Sequence, residues 1–176
     1  MPGPAPVWLL DKNLVRKAIE GIGASLIAAP LTGQQSMALR LLMRSRRAGI
    51  RVMITPEIAN ILSHHSDLLE VQLFLAEVEV MRRGRYFNRW ARRLRDHGFT
   101  PEDAKVLCYG TFGLDPTGLV LGVTVVVTFD RSFINNFEAH REALLRRLKA
   151  MTAQMRPPYH EAKLPEMATP ERILQK

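Results

Sequence analysis

The chain holds a single cysteine, Cys108, and no Cys/His set at zinc-ligand spacing. An internal disulfide is therefore excluded, and a thiolate zinc site with it; a reducing, cytoplasmic setting fits best. No apolar run reaches the roughly 20 residues needed to cross a bilayer, so no membrane association is expected. The opening MPGPAPVWLLDKN has no basic stretch ahead of its short apolar one, which predicts no signal peptide. Negative charge is also scarce. Seventeen Asp and Glu face 25 Lys and Arg, for a net charge of +8 over 176 residues. That imbalance favours a polyanionic partner, most simply nucleic acid, through phosphate neutralisation and counterion release.

What is present is an alternation of short apolar strands and amphipathic helices. VWLL at 7–10 reads as a buried strand, followed by helical spacing of Leu14, Ala18, Ile19, Ile22 and Leu26 to about residue 28. Thr32 or Gly33 caps a second helix that ends at Gly49 behind basic residues. IRVMIT at 50–55 is a second strand, and Pro56 opens a short helix ending near His64 and His65. Residues 67–97 read as helical throughout, with a break near Gly84. Thr100-Pro101-Glu102-Asp103 has the form of a capping box and starts another helix. LDPTG at 114–118 is a turn, VTVVVT a third strand, and 132–155 a long amphipathic helix. Two continuously apolar strands among helices predict an α/β fold: a central parallel sheet covered on both faces. One domain is expected over 1–156. Residues 157–176 form a Pro-rich arm whose Leu164, Ile173 and Leu174 suit wrapping its own domain or docking a partner.

Each expected strand ends near an acid: VWLLD at Asp11, VMITPE at Glu57, VVVTFD at Asp130. Ligands of open parallel sheets bind outside the carboxyl ends of the strands, so neighbouring strands would bring these acids to one edge. Asp103, at a helix start, is a fourth candidate. Any one of them can be explained as a helix cap or a charge that complements the helix dipole. Together they repel unless some are protonated or cations bind. Oxygen-only donors suit Mg²⁺ or Mn²⁺. Two such ions about 4 Å apart form a standard arrangement for phosphodiester cleavage.

Asp11-Lys12-Asn13-Leu14 after a strand, Glu102-Asp103-Ala104 opening a helix and Val127-Thr128-Phe129-Asp130 ending a late strand together resemble the PIN domain family. The resemblance covers about residues 6–137. It implies a three-layer α/β/α sandwich and a Mg²⁺- or Mn²⁺-dependent endoribonuclease. It also implies kinship with toxins of bacterial toxin–antitoxin pairs, commonly homodimers held inactive by an antitoxin. On that resemblance, Asp11, Asp103 and Asp130 are the metal ligands, Thr128 orients the site and Asn13 supports Asp11. The family's second acid, a Glu about one turn inside the helix after strand two, has no direct match. Glu57 sits earlier than usual, and the neutral Asn60 sits nearer the expected place. Phe129 stands where the family usually has Asn. The alternative to a nuclease is a PIN-like RNA-binding or partner-binding module without turnover.

RRGRYFNRWARRLR at 82–95 is the most basic stretch. Arg85, Arg89, Arg92 and Arg93 fall near one helical face and suit RNA phosphates or plain solvation. Tyr86, Trp90 and Leu94 form the opposite stripe, with Trp90 expected in the core. Cys108 reads as core, and His64 and His65 as helix-end charges.

Overall fold

The computed structural model describes residues 5–176. The first four residues of the expected domain, which begin the stretch read for a signal peptide, lie outside the described residues. The elements are β1 (Val7–Leu10), α1 (Lys12–Leu26), α2 (Gly33–Ala48), β2 (Arg51–Ile54), α3 (Pro56–Ser63), α4 (Leu69–Leu75) and β3 (Glu79–Val80). After them come α5 (Phe87–Arg95), α6 (Pro101–Phe112), β4 (Val125–Val127), α7 (Arg131–Thr152), β5 (Glu166–Ala168) and α8 (Pro170–Leu174). The five strands form one sheet in the order β3-β2-β1-β4-β5, and every pairing is parallel.

The period-two rule sorts the strand side chains between two cores. Trp8, Leu10, Val52, Ile54 and Val127 face α1–α4, joined there by Leu14, Leu41 and Phe74. Leu9, Met53 and Val126 face α5–α7, with Trp90, Phe112, Phe137 and Leu144. Both faces are therefore covered, as the continuous apolar strands require, and the architecture is a three-layer α/β/α sandwich. Leu9, Met53 and Ile54 are fully buried. Each such side chain contributes about 1.5–3 kcal/mol relative to exposure.

Helix boundaries follow the local chemistry. Thr32 and Gln35 form a reciprocal capping box at α2, and Gly49 closes that helix at φ 65°. Pro56 and Pro101 occupy first turns behind Thr55 and Thr100, whose hydroxyls accept from the N–H groups of Ile58 and Asp103. Trp90 is fully buried and meets Phe112 edge-on.

Two readings need correction. Residues 67–97 are not one broken helix: β3 lies between α4 and α5. Glu79 and Val80 pair with Met53 and Ile54, and Arg51 grips the Glu79 carboxylate through two nitrogens. A two-residue strand has no periodicity of its own and is specified by its neighbour. The Pro-rich tail is also more than an extended arm. Glu166, Met167 and Ala168 pair with Val125, Val126 and Val127 as the sheet edge, while α8 places Ile173 against the α1–α4 core. The tail wraps its own domain.

Candidate functional site

The strand order has one reversal. The chain builds outward from β1 through β2 to β3, then returns to the other side of β1 for β4 and β5. The crevice between the carboxyl ends of β1 and β4 is thus the topological switch point, where open parallel sheets bind their ligands. Asp11 follows β1 and Asp130 lies just beyond β4, so both stand at this crevice.

Thr128 joins them. It is fully buried, and its hydroxyl donates to Asp11 Oδ2 at 2.8 Å while accepting the Asp130 N–H at 3.0 Å. Its own N–H donates to the Ala168 carbonyl of β5, so the tail strand fixes the linker. The Asp11 N–H donates to the Val127 carbonyl, and Asp11 Oδ1 accepts from the Lys12 N–H at 2.7 Å. Asp130 Oδ1 accepts from the Phe133 N–H at 3.0 Å. Both acids are therefore helix N-caps, of α1 and α7. Capping and a functional role coexist here, because each cap leaves part of a carboxylate unused.

Asp103 stands on the first turn of α6, behind its Thr100 cap. The capping box is only half formed. Thr100 accepts from the Asp103 N–H, but the return bond that completes the box at α2 is not made. Burial raises the Asp103 pKa, the Thr100 hydroxyl offsets part of this, and the charges of Asp130 and Asp11 raise it further. Burial likewise raises that of Asp11, with Thr128 and the Lys12 N–H opposing and Asp130 adding to the rise. The charges of Asp130 and Asp11 thus reach Asp103, and that of Asp130 reaches Asp11, disfavouring ionisation of the acid each one faces. An exposed ion pair, Lys12 to Glu102 at 3.6 Å, spans the starts of α1 and α6 beside them.

Glu57 reaches the same sheet edge by way of β2 and α3 but takes other partners. Its Oε1 lies 3.3 Å from Arg83 Nη2 and 3.3 Å from the Tyr109 hydroxyl. Burial works against its ionisation, yet its own backbone N–H, Arg83 and Tyr109 outweigh that and lower the pKa. Its Oε2 is sealed from solvent with no hydrogen-bond partner among the described residues. Asn60 is exposed, and its carbonyl accepts from Ser63 and meets the His64 ring. Neither Glu57 nor Asn60 forms a hydrogen bond with Asp11 or Asp130 among the described residues. Asn13 is exposed and shares with Asp130 a concavity of about 280 Å³ that Arg16, Lys17, Gln34 and Phe129 complete.

The arginines of α5 lie on its exposed face, opposite the buried Phe87, Trp90 and Leu94. Arg85 precedes that helix and stacks beside Tyr86, 5.7 Å from the ring centroid. Cys108 is buried, which pushes its thiol pKa up and leaves it a core residue. Sequence reasoning missed Arg83, Tyr109, Arg16 and Lys17. Arg83 is placed by the unrecognised β3. Arg16 and Lys17 fall five and six residues beyond the Asp11 cap, a spacing that was legible.

The donor set suits a hard divalent cation in its chemistry: carboxylates and a hydroxyl, with no thiolate or imidazole. Its geometry is open. Among the described residues, no three His, Cys, Asp or Glu side chains stand close enough to hold one ion together. Mg²⁺ ordinarily keeps several waters and leans on one or two carboxylates, which Asp11 and Asp130 can supply.

No protein-family model, curated protein or solved structure matches this chain. Fold and site together define a class: a parallel α/β/α protein with paired, threonine-linked acids at its switch-point crevice. Among the described residues, no helix is long and apolar enough to cross a membrane.

Proposed function

We propose that the protein is a PIN-like, Mg²⁺- or Mn²⁺-dependent endoribonuclease. The observation that carries this reading is the Asp11–Thr128–Asp130 linkage at the switch point, with Asp103 in electrostatic reach. The net charge of +8 supports a polyanionic substrate. Asp11 and Asp130 would hold the ion, with Asp103 completing the charge. A divalent ion bound there would activate water and neutralise charge on the phosphate. The protein's own part is orientation. Thr128 and the Lys12 N–H each take one oxygen of Asp11, and the Phe133 N–H takes one of Asp130, so both carboxylates present fixed lone pairs to the crevice. Arg85, Arg89, Arg92 and Arg93 would contact RNA phosphates. A toxin role, with an antitoxin partner and a homodimeric state, is the setting that the PIN resemblance supplies.

The test is cleavage of labelled RNA in Mn²⁺. Asp130→Asn is expected to abolish it while the fold survives, because Asn is as good an N-cap as Asp. EDTA is expected to abolish it in the unaltered protein. Full activity in the folded Asp130→Asn protein would sink the mechanism.

A second reading is an RNA-binding or partner-binding module without turnover. It is favoured by the engagement of Glu57 with Arg83 and Tyr109, and by the neutral Asn60 near the expected second acid. RNA binding that persists without Mn²⁺ uptake or cleavage would establish it.

A further inference from the structure

The basic face of α5 does not stand alone. Arg89, Arg92, Arg93, Arg95 and Asp96 line a concavity of about 510 Å³. Arg93 and Asp96 also border an adjoining concavity of about 360 Å³, whose far wall carries Arg146 and Arg147 of α7. The result is one groove between two helices, with arginine on both sides and Asp96 as its single lining acid.

Packing beneath it sets this geometry. Leu94 of α5 and Leu144 and Leu148 of α7 are buried in the same core, which turns Arg93, Arg146 and Arg147 outward. The His97 ring lies 5.2 Å from that of His140, and Phe99 meets Phe133 edge-on, so the end of α5 is held against α7. None of Arg89, Arg92, Arg93, Arg146 and Arg147 forms an ion pair among the described residues. Like charges gathered without partners repel, and a bound polyanion relieves that repulsion. Planar guanidinium forks match phosphate oxygens in pairs. Alanines are the only apolar residues lining the groove, so an acidic protein segment would find no pocket for the apolar or aromatic anchors that dominate protein interfaces.

Position gives the groove its meaning. Asp130 caps α7, and the α7 residues that line the groove, from Ala143 to Ala150, follow 13 to 20 residues later. At 1.5 Å per residue the groove lies about 20–30 Å along the helix from that acid. We propose that the α5–α7 groove is a second RNA site, which grips the phosphate backbone of one substrate arm at a distance from the acids. The substrate class is then an RNA that extends beyond the reacting phosphate by about six to nine steps of 3.4 Å. The position of the reacting phosphate rests on the nuclease reading; the existence of the groove site does not.

Fluorescence anisotropy in EDTA tests it, with a short RNA of about four nucleotides and a long one of about twenty. The unaltered chain is expected to favour the long RNA by at least about tenfold. Arg146→Glu/Arg147→Glu is expected to remove most of that advantage. The milder Arg146→Gln/Arg147→Gln is expected to lower the log–log salt slope by about 1.4–1.8, two phosphate contacts' worth. The Gln pair also serves if the Glu pair fails to fold by circular dichroism. An unchanged length advantage and salt slope in a folded variant would overturn the proposal. So would loss of polyglutamate binding with RNA binding intact, which would assign the groove to an acidic protein. Because these measurements exclude divalent ions, they judge the groove alone. Absence of RNA cleavage in Mn²⁺ alongside an intact length advantage would sink the nuclease reading and leave the groove standing.

Discussion

Thr128 is the residue on which the site turns. Its one hydroxyl serves both acids, as donor to Asp11 and as acceptor from the Asp130 N–H. Thr128→Val keeps the shape and removes both bonds. Asp11 would lose the stronger of the hydrogen bonds that oppose the rise in its pKa, and the half-buried Asp130 N–H would lose its acceptor. Groups that orient ligands in this way typically contribute about 10–100-fold to metal affinity or activity. Thr128→Val is therefore expected to lower Mn²⁺ affinity, read by calorimetry, and RNA cleavage by about that factor. An unchanged variant would show the linkage to be structural only. The same scale explains what the sequence could show. Asp11 and Asp130 were legible because each lies within three residues of a strand that reads clearly, whereas Thr128 stood out only through the resemblance to the PIN family. The partners of Glu57 were not, because Arg83 and Tyr109 come from elements 26 and 52 residues away.

At the scale of elements, short strands are decided by what lies beside them. β3 is followed by a single bridge in which Arg82 and Leu114 each donate an N–H to the other's carbonyl. That exchange draws the chain at Gly84 so close to α6 that a Cβ there would stand 1.9 Å from the Phe112 carbonyl oxygen. Only glycine permits the approach. Gly84→Ala is expected to lower stability by about 1–3 kcal/mol or more in chemical denaturation, because the atom it meets is backbone and cannot step aside. A neutral result would mean that the α6 end gives way freely. The helices, by contrast, announce their own boundaries. Thr55 and Thr100 cap where the prolines behind them say they should, and Thr32 caps where its reciprocal partner Gln35 stands three residues on.

For the whole molecule, the Arg51–Asp115 network at the opposite ends of the strands from Asp11 and Asp130 matters most. Asp115 is buried and accepts from Arg51 at 2.9 Å, from Thr117 and from the N–H groups of Leu119 and Val120. Burial alone would raise its pKa, but the Val120 N–H and Arg51 prevail and hold it at about 2 against an ordinary 3.8. A lowered carboxylate pKa contributes stability in full above the ordinary value, and that contribution drains away as pH falls from 3.8 toward about 2. Melting temperature is expected to drop across that window. Asp115→Asn should flatten the drop and cost about 1–3 kcal/mol at neutral pH, since Arg51 keeps only Glu79. A pH profile identical to that of the unaltered protein would refute this assignment. The sequence by itself determined the fold class and the strand-end positions of Asp11 and Asp130, because apolar runs and caps are local signals. The tertiary structure alone decided that Thr128 ties those acids together, that Glu57 turns to Arg83, and that the tail closes the sheet. These are contacts between distant segments, and they exist only once the strands lie side by side, β3 beside β2 for Glu57 and β1, β4 and β5 for the rest.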